Sequence, residues 1–132
     1  MTKRLSFLLL ICVACITTGA QVSRNKTIKS GQIWPDDKGV HINAHGGGIM
    51  KYGNTYYWFG EHKADTTSSA MVGVMCYSSD DLVNWKNCGV ALSVSNEKGH
   101  DIERGCILER PKVIYNKAMK KFCMWFHLEL KG

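Results

Sequence analysis

Proline is nearly absent from this chain of 132 residues, with only Pro35 and Pro111 present, which excludes a proline-rich linker or polyproline arrangement. Long apolar runs are also missing. The longest, residues 5–16, is shorter than the roughly 20 residues a helix needs to cross a bilayer, so no membrane span is expected. Basic residues outnumber acidic ones, 17 to 11, but the lysines are scattered along the chain. Their one cluster, residues 117–121, falls in a turn pattern and reads as a solvated tip. Without a basic stripe or a binding motif, no nucleic-acid partner is expected. Cysteine is present, but no pair outside the first twenty residues has zinc-ligand spacing, and no metal site or other cofactor is assigned.

What is there begins with a leader. Lys3 and Arg4 precede the apolar run, and Thr18-Gly19-Ala20 supplies small residues where a signal peptidase cuts. Residues 1–20 therefore read as a signal peptide and residues 21–132 as an exported domain, periplasmic or extracellular. Lipoprotein anchoring at Cys15, after Val13-Ala14, is the alternative, although Cys12 stands where a leucine is expected. Cys12 and Cys15 belong to the leader. Cys76, Cys88, Cys106 and Cys123 remain, either as small buried hydrophobes or, after export, as disulfide partners. Cys76 to Cys88 is the expected pairing if one forms, because their strands should be neighbours.

Glycine punctuates short aromatic and β-branched runs, a pattern of strands and turns rather than helices. Gly46-Gly47-Gly48 leads into Ile49-Met50-Lys51-Tyr52, and Gly53-Asn54 separates this from Thr55-Tyr56-Tyr57-Trp58-Phe59, a hairpin signature. Residues 71–77 and 85–92 supply a third and a fourth strand, completing an antiparallel meander. The pattern then restarts roughly sixty residues on, with residues 110–115, a turn at 116–120 and the aromatic run 121–127. Tyr57 and Phe59 point to one face while Tyr56 and Trp58 point to the other. A strand bulky on both faces must be covered on both, and stacked propeller blades do this. The fold class is all-β: antiparallel four-stranded blades, forming the first one and a half blades of a β-propeller.

Three groups of residues carry chemistry. Glu61 ends the first aromatic strand, where carboxylates can converge on a propeller axis; it could equally be an exposed glutamate paired with Lys63. Glu109 enters the next blade at the corresponding place. Arg110 and Lys112 beside it should keep it ionised, which suits positioning substrate or tuning a partner acid and does not suit proton donation. His41 and His45 are four apart, but three glycines make a metal-binding helix there improbable. His45 reads as pocket-lining or as a buried hydrogen-bonded histidine. Trp58 could stack on the apolar face of a sugar. Ser79-Asp80-Asp81-Leu82-Val83-Asn84-Trp85 reads as a turn that folds Leu82 and Trp85 onto the blade.

Ser79-x-Asp81-Leu82-x-x-Trp85 is common in the five-bladed propeller glycosidases. Together, His41-Ile42-Asn43-Ala44-His45-Gly46-Gly47-Gly48, Tyr56-Tyr57-Trp58-x-Gly60-Glu61-His62-Lys63 and Glu109-Arg110-Pro111-Lys112-Val113-Ile114-Tyr115-Asn116 are narrower. They resemble the branch of glycoside hydrolase family 43 that contains exo-β-1,3-galactanases. The resemblance runs from about Gly31 to His127. It implies an inverting glycosidase of five blades that removes terminal sugars from a galactose-containing polysaccharide or oligosaccharide. Glu61 matches a glutamate that binds the terminal sugar, and Glu109 matches a carboxylate that positions substrate and tunes the acid. Most of the family places a general-base aspartate in an Ala-Asp-Pro context; here Ala44 is followed by His45-Gly46. The family's general acid lies in a later blade, beyond Gly132. The expectation is an N-terminal fragment, inactive alone, whose partner is the remainder of the propeller. The alternative is a non-catalytic sugar-binding or assembly module. Structural calcium is conceivable in this family, but no residue here indicates it.

Overall fold

The computed structural model describes residues 24–130. The expected leader, with its expected cleavage and lipid-anchoring positions, lies outside the described residues. Six strands follow in order: β1 His45–Tyr52, β2 Thr55–Glu61, β3 Gly73–Ser79, β4 Lys86–Ser93, β5 Ile107–Asn116 and β6 Lys121–Glu129. The first four form one antiparallel sheet in the order β1-β2-β3-β4, and β5-β6 form a second. This is one four-stranded blade and a two-stranded start of the next, as the repeat in the sequence requires.

The β1–β2 hairpin pairs Tyr52 with Thr55 and turns on Gly53, whose φ is +61°. Positive φ at the first of two central residues is the type II′ pattern, whose twist matches the strands it joins. Alternation along β2 then sends its aromatic side chains to opposite faces. On one face Tyr56 and Trp58 join Trp34, Ile42, Ala44, Met75, Tyr77 and Trp85. There the Trp58 ring packs 5.6 Å from Trp34 and 5.3 Å from Trp85, in tilted and edge-on arrangements, which aromatic quadrupoles favour. On the other face Phe59 joins Ala70, Val74, Cys106 and Leu108, with Met124, Phe126 and Leu128 arriving from β6. One core seats the N-terminal segment on the blade. The other joins the two sheets. At the inner margin Tyr52 of β1 touches Tyr115 and Phe122 of the second sheet.

Two expected strand starts move later, while β1 and β5 begin earlier than expected, at His45 and Ile107. The third strand begins at Gly73, not residue 71, and the fourth at Lys86, not Trp85. Gly73 has φ +123°, and a Cβ on it would stand 2.0 Å from the Leu92 carbonyl oxygen, so regular pairing starts only there. Trp85 closes the preceding turn instead, with its ring buried in the first core. That turn is organised by Ser79 and Asp81. Ser79 Oγ accepts from the N–H groups of Asp81 and Leu82 at 3.2 and 2.8 Å, and Asp81 Oδ1 accepts from Val83 and Asn84 at 2.9 and 2.7 Å. The Asn84 backbone and side-chain donors hold the Asp81 carboxyl well below the usual carboxylate range.

The Cys76–Cys88 pairing, expected if any disulfide forms, is not made. Their strands are neighbours, but Cys76 pairs with Gly89 and Tyr77 with Asn87, so Cys88 falls in a bulge. Its Sγ sits 3.2 Å from Ser78 Oγ. All four described cysteines are free thiols, with Cys76 buried and Cys88 exposed.

Candidate functional site

Where β1, β2 and β5 meet at one end of the sheets, the backbone is irregular in both inner strands. In β1, His45 pairs with Glu61 and Gly48 with Phe59, a register shift of one residue. In β5, Glu109 pairs with His127 and Lys112 with Trp125, the same kind of shift. The extra residues need left-handed backbone: Gly46 has φ +55° and Arg110 has φ +53°. Arg110 is not glycine, so its conformation carries strain that its neighbours must hold. A Cβ on Gly46 would also stand 2.8 Å from Glu61 Oε1, so the carboxylate tip would have to shift.

Glu61 is only 6% exposed. Lys63 Nζ lies 2.8 Å from its Oε2, at an angle that leaves this oxygen without a directed hydrogen bond. The same ammonium lies 3.4 Å from Glu109 Oε1 and 3.4 Å from the Ser68 carbonyl. Arg110 Nη2 takes the other oxygen of Glu109 at 3.0 Å. One cation thus bridges carboxylates from two sheets. Hydrogen bonding to Lys63, more than the Arg110 guanidinium, lowers the Glu109 carboxyl below its ordinary value. Reciprocally, Glu61 first and Glu109 after it raise the Lys63 ammonium above its ordinary value. Lys63 is placed from behind: Asn43 Nδ2 donates to its carbonyl and Asn43 Oδ1 accepts from its N–H, both at 2.8 Å.

Of the two cations expected to keep Glu109 ionised, Arg110 does pair with it, but Lys63 contributes more. Lys112 turns to β1, where its Nζ donates to the carbonyls of Gly46 and Gly47 at 2.9 and 2.7 Å. His45 stands exposed at the start of β1, opposite Glu61. Trp58 is not brought into the carboxylate cluster. It lies three residues from Glu61 on the other face of β2, and only its Nε1 edge comes close, next to Gly47. Asn43 and the bridging role of Lys63 escaped the sequence. The Glu61-x-Lys63 spacing was a signal for an ion pair, and nothing local marked its second carboxylate. Among the described residues no three His, Cys, Asp or Glu side chains converge as a metal site. A groove of about 510 Å³ lies at the opposite end of the blade, lined by Asp36, Thr55, Ser79, Trp85 and their neighbours, and touches none of these groups.

Antiparallel blades stacked through an aromatic core, with two carboxylates gathered at the inner strand ends, define a β-propeller glycoside hydrolase architecture, of which this chain spans a part. The chain belongs to glycoside hydrolase family 43, in the branch of the exo-β-1,3-galactosidases and galactanases. A family 43 β-1,3-galactosidase solved with galactodeoxynojirimycin is 60% identical over 80% of this chain, with a TM-score of 0.77. The exo-β-1,3-galactanase of Phanerochaete chrysosporium, solved with galactose, is 44% identical over 78% of the chain at a TM-score of 0.72. That of Clostridium thermocellum is 44% identical over 77% at a TM-score of 0.67. The chain spans 30%, 23% and 21% of these three structures. No family model and no curated protein matches it.

Proposed function

We propose that this chain forms one wall of a terminal-galactose pocket in an exported, inverting exo-β-1,3-galactosidase. The observation that carries the proposal is the meeting of Glu61 and Glu109, from two blades, on one ammonium at the inner strand ends. Glu61 is the sugar-binding carboxylate: it ends β2 at the cluster, fixed in place by burial and by the Lys63 ammonium 2.8 Å from its Oε2. Glu109 is a positioning carboxylate. Its lowered pKa keeps it ionised at neutral pH, the wrong state for protonating a leaving group.

Inversion needs a separate acid and base about 6.5–9.5 Å apart, on either side of the scissile bond. Two glutamates clamped by a single lysine are not that pair. The proton-transfer residues therefore belong to other parts of the propeller, and this chain contributes recognition. The same observation favours a second reading, sugar binding without catalysis. Incubating the purified chain with β-1,3-galactobiose tests the assignment of both glutamates as accessory groups. No galactose release is expected, while calorimetric titration with galactose should show saturable binding that Glu61→Gln weakens. Release at the rate of a complete galactosidase would overturn the assignment of Glu61 and Glu109 as accessory groups. The leader at residues 1–20 carries the proposal of export, and the size of the secreted product measures it.

A further inference from the structure

We infer that Lys63, a residue of the β2–β3 connection, is the positioning residue that sets the spacing of the two pocket carboxylates. It holds blade two to blade one at the site, and it does not itself bind sugar. The inference deepens the proposed pocket and rests on that reading for its ligand, galactose.

Three geometric facts carry it. The Lys63 ammonium is the only group within reach of both Glu61 and Glu109 among the described ion pairs, at 2.8 and 3.4 Å. Its own backbone is fixed at both polar groups by the Asn43 side chain, so its stem starts from a defined point. Its ammonium also donates to the Ser68 carbonyl at 3.4 Å. A lysine anchored at its base and held at its tip by two carboxylates and a carbonyl orients other groups.

Removing its charge would leave two carboxylates facing each other across the blade junction, with only Arg110 still paired to Glu109. Like charges so placed resist joint ionisation. Other charged or titratable groups around the junction are His62, between Glu61 and Lys63 in the chain, Lys112 of β5, engaged on the Gly46 and Gly47 carbonyls, His45 of β1 opposite Glu61, and His127 of β6 opposite Glu109. His127 is already paired with Glu129. None of these replaces an ammonium between the carboxylates.

The test is a carboxyl-carbon NMR titration of the full chain with labelled glutamate, for the wild type, Lys63→Met and Lys63→Arg, alongside galactose affinity at pH 7. In the wild type, Glu109 is expected to titrate below its ordinary 4.5. Lys63→Met should move that midpoint up and weaken galactose binding about tenfold, the scale of one lost charged contact. Lys63→Arg should hold the midpoint down. A Glu109 midpoint in the wild type at or above 4.5 overturns the inference without any variant, even if Lys63→Met fails to fold. Identical Glu109 titrations in wild type and a folded Lys63→Met also overturn it. Loss of galactose binding in every version, wild type included, would instead sink the galactose pocket and leave the titration to decide the role of Lys63.

Discussion

Gly60 sits one residue before Glu61, where the chain segment carrying Asn43 and Ala44 crosses β2. A Cβ built on Gly60 would stand 2.2 Å from the Ala44 carbonyl carbon, 2.3 Å from its oxygen and 2.4 Å from its Cα. All three are backbone atoms, so no rotamer change relieves the overlap. Gly60→Ala must therefore push residues 43–44 off the sheet. Overpacking typically costs 1–3 kcal/mol, and an obstacle made of backbone places this substitution near the top, at about 3 kcal/mol. The cost is not confined to stability, because Asn43 moves with Ala44 and Asn43 fixes the Lys63 backbone.

Gly48→Ala is the matched control. Its Cβ would meet Lys112 Cδ at 2.7 Å, with Cε and Nζ at 3.5 Å, atoms of a flexible side chain that can swing away. That change should cost about 1 kcal/mol or less while detaching Lys112 from the Gly46 and Gly47 carbonyls. Urea unfolding followed by tryptophan fluorescence measures both, since Trp34, Trp58 and Trp85 share the core beneath Ala44. Gly60→Ala within about 0.5 kcal/mol of wild type, or a cost no larger than that of Gly48→Ala, would refute the close approach and the anchoring of Lys63 built on it.

Two further outcomes follow from titration behaviour. The Glu109 carboxyl is lowered in the fold, so its ion pairs stabilise the chain fully above the ordinary value of 4.5 and lose that contribution as pH falls through the lowered value; Glu109→Gln should flatten the acid limb of a melting-temperature profile, and an unchanged limb counts against the pairing. Burial, more than the neighbouring Cys88, pushes the Cys76 thiol up to about 12, so a thiol reagent at pH 8 should label exposed Cys88 well before Cys76, and equal rates would contradict the packing of β3.

Much of the blade could be read from residue pattern alone, because two-sided aromatic strands admit few arrangements. In Tyr56-Tyr57-Trp58-Phe59, Tyr56 and Trp58 pack half-buried on one layer and Phe59 on the other. The turn from Ser79 to Trp85 was equally legible, since its hydrogen bonds run between residues two or three apart. The site was harder. Glu61 and Glu109 were identifiable as strand-end carboxylates, but the group joining them lies 46 residues from Glu109. No local periodicity encodes such a contact. Trp58 was hard to place for a related reason: stacking on sugar and packing on Trp34 and Trp85 ask for the same ring, and parity along β2 turns it to the face opposite Glu61. Cys88 was displaced by a bulge whose glycine, Gly89 at φ +88°, was visible in the sequence while its effect on register was not.

The paired bulges explain why the carboxylates meet at all. Residues three apart on a regular strand point to opposite faces. Yet Glu109 and Lys112 pair with His127 and Trp125, which are two apart and share a face. His45 and Gly48 likewise pair with Glu61 and Phe59. Each inner strand therefore carries one extra residue at the same level of the propeller, and the two extras touch: a Cβ on Gly46 would lie 3.4 Å from Arg110 Cγ and 3.5 Å from its Cα. An inserted residue reverses facing on one side of the bulge and preserves it on the other. The hydrophobic alternation of β5 can thus keep Pro111 buried while Glu109, one bulge away, stays within reach of Lys63. The strain at Arg110 accompanies this switch. With the extra residue deleted, β5 would have to choose between its buried core face and its place at the site. The bulge lets one strand serve both.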